Sequence, residues 1–165
     1  MTAGAGRAAR REPVRRGSVR RVTVQVEVLS SITDEVVAAF SRLLPQLSSS
    51  APPLDAQALG AIAASPAITI LLARCDGEIA GTLTLAMFPI PTGVRAWIED
   101  VVVDKAFRGR GTGEELTAAA LRIAQAAGAR TVDLTSRPSR EAAGRLYERA
   151  GFTQRDSRLY RYTFE

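Results

Sequence analysis

Trp97-Ile-Glu-Asp-Val-Val-Val-Asp-Lys-Ala-Phe-Arg-Gly-Arg-Gly-Thr-Gly113 is the stretch that decides how this chain folds. An acidic pair, Glu99 and Asp100, leads into the β-branched run Val101, Val102 and Val103. A short turn and an arginine–glycine loop follow, made of Arg108, Gly109, Arg110, Gly111, Thr112 and Gly113. The pattern predicts a strand, a turn and then a helix that begins at about Gly113. A helix start presents unpaired backbone N–H groups and the positive end of the dipole, so it attracts phosphate. Glycines at 109, 111 and 113 let a pyrophosphate approach the main chain without meeting a Cβ.

Two familiar phosphate loops fit badly. The dinucleotide fingerprint needs glycines spaced two and then three apart, and counting from Gly109 or from Gly111 the third falls on another residue type. The P-loop ends in Gly-Lys-Ser/Thr, whereas here Gly113 precedes Glu114 and Glu115. Arg-x-x-Gly-x-Gly after a valine-rich strand instead resembles the acetyl-CoA loop of the GNAT superfamily of N-acetyltransferases. The ordered set of strand, Asp104, Arg108, Gly111 and Gly113 is far more specific than a bare Gly-x-Gly.

A second segment, residues 140–152, is similar to another part of that family. On a helix, Ala143, Leu146, Tyr147 and Ala150 share one face, and Gly151 supplies a left-handed stop before Phe152 opens a strand. The pattern Ala-x-x-Leu-Tyr-x-x-x-Gly-Phe resembles the GNAT helix whose tyrosine lies beside the CoA sulfur. On its own, Tyr147 would be a core aromatic with its hydroxyl at the rim. Two positions depart from the family pattern: Arg140 stands where many members carry asparagine, and Gly144 where another often occurs.

Composition removes several alternatives. The 165 residues suit one domain, expected at 21–165 behind a disordered tail at 1–20. The chain has no histidine and one cysteine, Cys75. That leaves no Ser-His-Asp or Cys-His scheme, no internal disulfide and none of the common zinc sets. No metal is expected. Of the net charge of +5, residues 1–21 supply seven arginines against one glutamate. The remainder is close to neutral, so the globular part has no phosphate-binding excess and nucleic acid is not the expected partner. No run reaches membrane-span length and no apolar stretch follows the arginines as in a signal peptide, so the expected location is cytoplasmic.

Periodicity predicts the rest. Strands are expected at 22–28, 68–73, 78–87, 94–103, 131–135 and 159–164, besides the one opened by Phe152. Helices are expected at 34–44, ended by Pro45, and at 54–64, 113–127 and 139–150. Asp76-Gly77 reads as a hairpin turn and residues 88–93 as a longer, stiffer connection. The expected fold is mixed α/β, mostly antiparallel, with about seven strands and about four helices, in the GNAT order from residue 22 to the end.

The resemblance then implies chemistry. Pantetheine would lie between the strand of Val101, Val102 and Val103 and the next strand, with its pyrophosphate on the glycine loop. Arg108 and Arg110 would add charge there, and Arg140 and Tyr147 would border the site. The co-substrate would be acetyl-CoA and the acceptor an amine, of a small molecule or a protein. A lysine-like amine with a pKa of about 10.4 is neutral in only about one molecule in 2,500 at pH 7, a deficit of about 4.6 kcal/mol. Glu99, which relatives often match with an acidic residue, is the favoured base, with Asp100 or water as alternatives and amine binding without proton transfer also open. The two carboxylates point to opposite faces unless a bulge intervenes. Tyr147 would protonate the departing thiolate, and a backbone N–H near the valine run would polarise the carbonyl. Residues 32–64 and 86–97, with Met87, Phe88 and Trp97 near the entrance, would shape the acceptor pocket. A non-catalytic CoA-thioester-binding module of the same fold is the alternative, and a homodimer is left open.

Overall fold

The structure is a computed structural model and describes residues 23–164. The arginine-rich stretch and the start of the first expected strand at Val22 lie outside the described residues. Strand β1 (Val24–Val28) is followed by helices α1 (Asp34–Leu47) and α2 (Ala56–Ala63). Three strands come next, β2 (Ile68–Cys75), β3 (Glu78–Ile90) and β4 (Gly93–Val103). A 3-10 turn at Lys105–Phe107 leads into α3 (Thr112–Ala126), then β5 (Ala129–Leu134) and α4 (Glu141–Arg149). The strands form one sheet in the order β1-β2-β3-β4-β5, antiparallel throughout except for the parallel pair β4–β5.

Alternation along β2 shows why the sheet is covered on both faces. Leu71 and Ala73 join a buried cluster with Leu116, Ala120 and Ala124 of α3. Ile70 and Leu72 turn to the other side, against Val36, Phe40 and Leu43 of α1 and Leu59 of α2. Each of the two N-terminal helices starts on its own side-chain cap. Thr33 Oγ1 accepts from the Val36 N–H at 3.3 Å, and Asp55 Oδ1 from the Ala58 N–H at 2.8 Å. Helix α1 does not stop at Pro45: the proline sits in its last turn, and the Ser48 N–H still reaches the Leu44 carbonyl at 3.0 Å. The stiff connection expected at 88–93 is a tight hairpin, since β3–β4 pairing continues to Ile90 opposite Gly93.

The sheet has five strands rather than about seven. Phe152 opens no strand because its N–H bonds the Tyr147 carbonyl at 3.0 Å, while the Gly151 N–H bonds Glu148. With Gly151 at φ 93, these two bonds form a Schellman end to α4. Residues 159–164 alternate like a strand, yet Leu159, Tyr160, Tyr162 and Phe164 are 66%, 83%, 81% and 87% exposed. Alternation specifies a strand only where a sheet face and a ladder receive it, and β5 pairs with β4 alone among the described strands.

Helix α4 meets α3 at Gly113, where an added Cβ would lie 2.7 Å from Leu146 Cδ1. Gly113→Val should therefore overpack this contact and cost about 1–3 kcal/mol. Leu146→Ala in the same chain should return part of that loss. Thermal unfolding of the two single variants and the double variant measures the coupling, and strictly additive losses would contradict it.

Candidate active site

The site is organised by a break in regularity of β4. Thr84 pairs with Glu99 and Thr82 with Val102, so Asp100 and Val101 both oppose the single residue Leu83. Asp100 takes φ 50, a left-handed conformation uncommon for a residue with a side chain. This bulge inverts the facing of the rest of the strand. Ile98 and, beyond the bulge, Val101 and Val103 all pack toward the α3 cluster, whereas Val102 joins the α1–α2 cluster. Glu99, out of phase with Ile98, lies on the α1–α2 side together with Trp97. The pairing of β4 with β5 ends at Ile98 and Leu134. Val101, Val102 and Val103 thus lie beyond the last rung shared with β5, and the two strands part there.

The carboxylate of Glu99 is exposed and held in one orientation, because Trp97 Nε1–H donates to its Oε1 at 2.7 Å. Opposite these residues on β3 stand Thr84 and Ala86, with Phe88 next on the same face and 40% exposed. The result is a largely apolar strip ending in an acid. Met87, expected at the entrance beside Phe88, instead faces the α3 cluster, since neighbouring strand residues point oppositely.

Past Val103 the chain turns. Asp104, buried, caps the 3-10 turn by accepting the Ala106 N–H at 3.0 Å. Arg108 Nε reaches back to the Val103 carbonyl at 3.2 Å, so the chain itself uses one acceptor of the valine run. The Arg110 guanidinium lies over the Phe107 ring, 5.1 Å from its centroid. Gly109 and Gly111 adopt φ 74 and φ 81, and a Cβ on either would meet nothing within 4 Å. Gly111 is the N-cap of α3 and offers no side-chain cap. The first N–H groups of the helix, at Thr112 and Gly113, are therefore left for an external acceptor. The Thr112 side chain is buried, its Oγ1 3.4 Å from Cys75 Sγ. Gly113 differs from its two neighbours: it is buried inside α3, and its missing side chain makes room for Leu146 rather than for open space.

Helix α4 bridges the two sides of the molecule. Arg149 pairs with Glu114 at the start of α3, and Arg140 Nη2 donates to the Leu47 carbonyl at the end of α1, 3.1 Å away. Tyr147, two turns beyond Arg140, packs edge-on to Phe152 with centroids 5.8 Å apart. Burial pushes the Tyr147 hydroxyl above its ordinary pKa of 10.0, and the Arg140 charge opposes that rise. The phenol thus stays protonated throughout the neutral range.

The sequence left several members of this arrangement unnoticed. Arg42 Nε donates to Asp104 Oδ2 at 2.8 Å across 62 residues, and Gln46 Oε1 accepts the Lys105 N–H at 3.0 Å. No local pattern announces such long-range partners. The Trp97–Glu99 bond was in principle visible, because residues two apart on a strand share a face.

A fold with this order of elements has many known counterparts. Residues 32–152 match the Acetyltransferase (GNAT) family, and the chain belongs to that family. It is 36% identical over 91 residues to N-alpha-acetyltransferase MAK3 of Arabidopsis thaliana, a match covering 55% of this chain and 47% of that protein. It is 39% identical over 71 residues to N-alpha-acetyltransferase 30 of Schizosaccharomyces pombe, covering 43% and 47%. These matches span about half the length of either curated relative. Among solved structures, a Trypanosoma brucei acetyltransferase superposes with a TM-score of 0.70 at 28% identity, over 86% of this chain and 100% of that one. The aminoglycoside N-acetyltransferase AAC(6')-Iy in complex with CoA shares the fold, with a TM-score of 0.71 at 18% identity, over 92% and 99%. No helix among the described residues is long and apolar enough to cross a membrane.

Asp104 titrates below the ordinary carboxylate value of 3.8, first because of the Ala106 N–H and then because of Arg42 and Gln46, with burial opposing them. A depressed folded pKa contributes stability that is present above the unfolded value and is lost as pH falls through the folded one. Asp104→Asn should therefore lower the melting temperature at pH 7, and the gap from wild type should narrow below about pH 4. A gap that is constant with pH would show that the charge on Asp104 is not what stabilises the turn.

Proposed function

We propose that this chain transfers the acetyl group of acetyl-CoA directly to a primary amine of a protein or small molecule. The observation that carries the reading is the uncapped start of α3. It stands at the end of the strand that has parted from its parallel neighbour, with open space beside the left-handed Gly109 and Gly111. Those residues fit the phosphate end of CoA: backbone donors and helix dipole face an opening that a Cβ would narrow. Thr112 and Gly113 supply N–H groups, and Arg108 and Arg110 supply charge. Backbone groups of Val101, Val102 and Val103 suit the amides of the pantetheine arm, and Arg140 and Tyr147 border its sulfur end. When bound, acetyl-CoA supplies an activated acyl group and a thiolate leaving group.

On the other face of β4, Glu99 binds the incoming amine and accepts its proton, with Trp97 fixing the carboxylate. The N-alpha-acetyltransferase relatives favour a protein α-amine as the acceptor. Such an amine, with a pKa of about 7.8, is neutral in about one molecule in seven at pH 7, a deficit of about 1 kcal/mol. Glu99 therefore has much less to supply for an α-amine than for a lysine. Tyr147 holds the proton that the thiolate takes up as the C–S bond breaks.

Titration calorimetry with acetyl-CoA, followed by release of free thiol with a panel of peptide N-termini, lysine peptides and small amines, tests the reading. Binding together with acetylation of at least one amine class is expected. Absence of binding up to millimolar acetyl-CoA would overturn it, and tight binding without any acetylation would leave a binding module.

Tyr147→Phe should lower kcat by roughly ten- to a thousand-fold and leave acetyl-CoA affinity nearly unchanged, because the lost hydroxyl acts as charge develops on sulfur. Wild-type turnover with chemistry limiting would return Tyr147 to a packing role. Glu99→Gln should show a defect that shrinks as pH approaches the pKa of the acceptor amine. A defect independent of pH would assign Glu99 to amine binding alone.

A further inference from the structure

We propose that Arg42, assisted by Gln46, is a positioning residue for acetyl-CoA: it clamps the turn after β4 so that the loop carrying Arg108 to Gly113 faces the pyrophosphate. The inference rests on the acetyltransferase reading above and adds residues from the opposite side of the sheet.

The geometry is specific. The Arg42 guanidinium forks between two targets, with Nε on Asp104 Oδ2 at 2.8 Å and Nη2 on the Ile79 carbonyl at 2.7 Å. Asp104 is engaged at both oxygens, since its Oδ1 takes the Ala106 N–H at 3.0 Å, and its own N–H bonds the Ala80 carbonyl at 2.8 Å. One helical turn beyond Arg42, Gln46 Oε1 accepts the Lys105 N–H at 3.0 Å, while its Nε2 donates to the Arg42 carbonyl at 3.1 Å. Two consecutive backbone N–H groups of the turn, at Lys105 and Ala106, are thus held directly or through Asp104 by side chains of α1.

Within the turn itself the Phe107 N–H closes on the Asp104 carbonyl at 2.9 Å and Arg108 reaches the Val103 carbonyl, but the bonds to Arg42 and Gln46 are the ones that tie it to α1. The 3-10 segment buries no residue, and beyond it Gly109 and Gly111 take the left-handed φ values 74 and 81 with no side chain to pack. A loop that binds through backbone N–H groups works only if those groups already converge, because ordering them on binding would subtract from affinity. Arg42 is 46% exposed and Asp104 only 10% exposed, so the carboxylate is fixed in the protein and the arginine closes over it from solvent. An aliphatic residue at 42 could cover the same stem but could not hold Asp104. The effect should therefore appear in acetyl-CoA affinity and not in the chemical step.

The test compares wild type, Arg42→Met, Arg42→Lys and Gln46→Leu by acetyl-CoA calorimetry, kcat at saturating acetyl-CoA and melting temperature. Arg42→Met is expected to raise the acetyl-CoA Kd about ten-fold, with kcat changed less than about three-fold. Arg42→Lys should recover part of the affinity by keeping the charge on Asp104, and Gln46→Leu should weaken binding by a smaller factor. A lowered melting temperature with unchanged Kd in Arg42→Met would overturn the proposal, leaving the clamp a support of the fold only. Should Arg42→Met fail to fold, Gln46→Leu decides, a raised Kd supporting the clamp and an unchanged one refuting it. Failure of the wild type itself to bind acetyl-CoA would instead strike the acetyltransferase reading.

Discussion

The parting of β4 from β5 is the constraint on which the other features depend. Parallel pairing holds the strands together from Val94 to Ile98, and the bulge at Asp100 and Val101 falls immediately beyond the last rung. A bulge bends its strand and raises the local twist, so the end of β4 leaves the line of β5. It also changes which side chains face which layer. Without the extra residue, Val101 and Val103 would point away from α3 and Val102 toward it, exchanging their places in the two cores. The bulge keeps apolar residues buried on both faces and frees a length of main chain in the same step.

Opening a strand pair removes hydrogen-bonding partners, and other parts of the fold compensate. The Val103 carbonyl is taken by Arg108, while on the intact side the Asp104 N–H extends the β3–β4 ladder to Ala80 and α1 holds the next turn. The first N–H groups of α3, which no side chain caps, can be satisfied by water or an anion. Helix α4 then crosses from α3 to the end of α1, anchored by Leu146 beside Gly113 and by Arg140 on Leu47. The tyrosine helix is thereby tied to both layers that flank the split.

Much of this was legible in the sequence, and the parts that were not share a cause. The alternations of β2, β3 and β4, the Asp76-Gly77 turn and the glycine stop at Gly151 each express a local rule, and each stands where that rule puts it. The sequence leaves a bulge open at the Glu99–Asp100 pair but does not require it, because aspartate tolerates a left-handed conformation without demanding one. Its presence comes from keeping both cores filled, which is a tertiary demand. The pairing of Arg42 with Asp104 and of Gln46 with Lys105 is tertiary in the same sense. The tail at 159–164 shows the opposite error: a correct local pattern with no neighbouring ladder to use it. Gly113 has the local look of a glycine kept open for a ligand, yet it answers to a helix contact 33 residues away in sequence, a distance over which no motif speaks.

Tyr147 shows how such tertiary detail bears on chemistry. An unperturbed phenol with a pKa of about 10 already lies about 1.5 units above a thiol of about 8.5, so full proton transfer to the thiolate is uphill by about 2 kcal/mol. Burial raises the phenol further, which opposes the acid role proposed for it, and Arg140 works in the opposite direction. Arg140 therefore serves two ends: a hydrogen bond to Leu47 that holds α4 in place, and a charge that works against the burial of the phenol. Arg140 is the N-cap of α4, and the tyrosine seven residues on lies about two turns along the helix on the same side. The docking of α4 on α1 through Arg140 thus also places the charge that works against the rise in the Tyr147 pKa caused by burial.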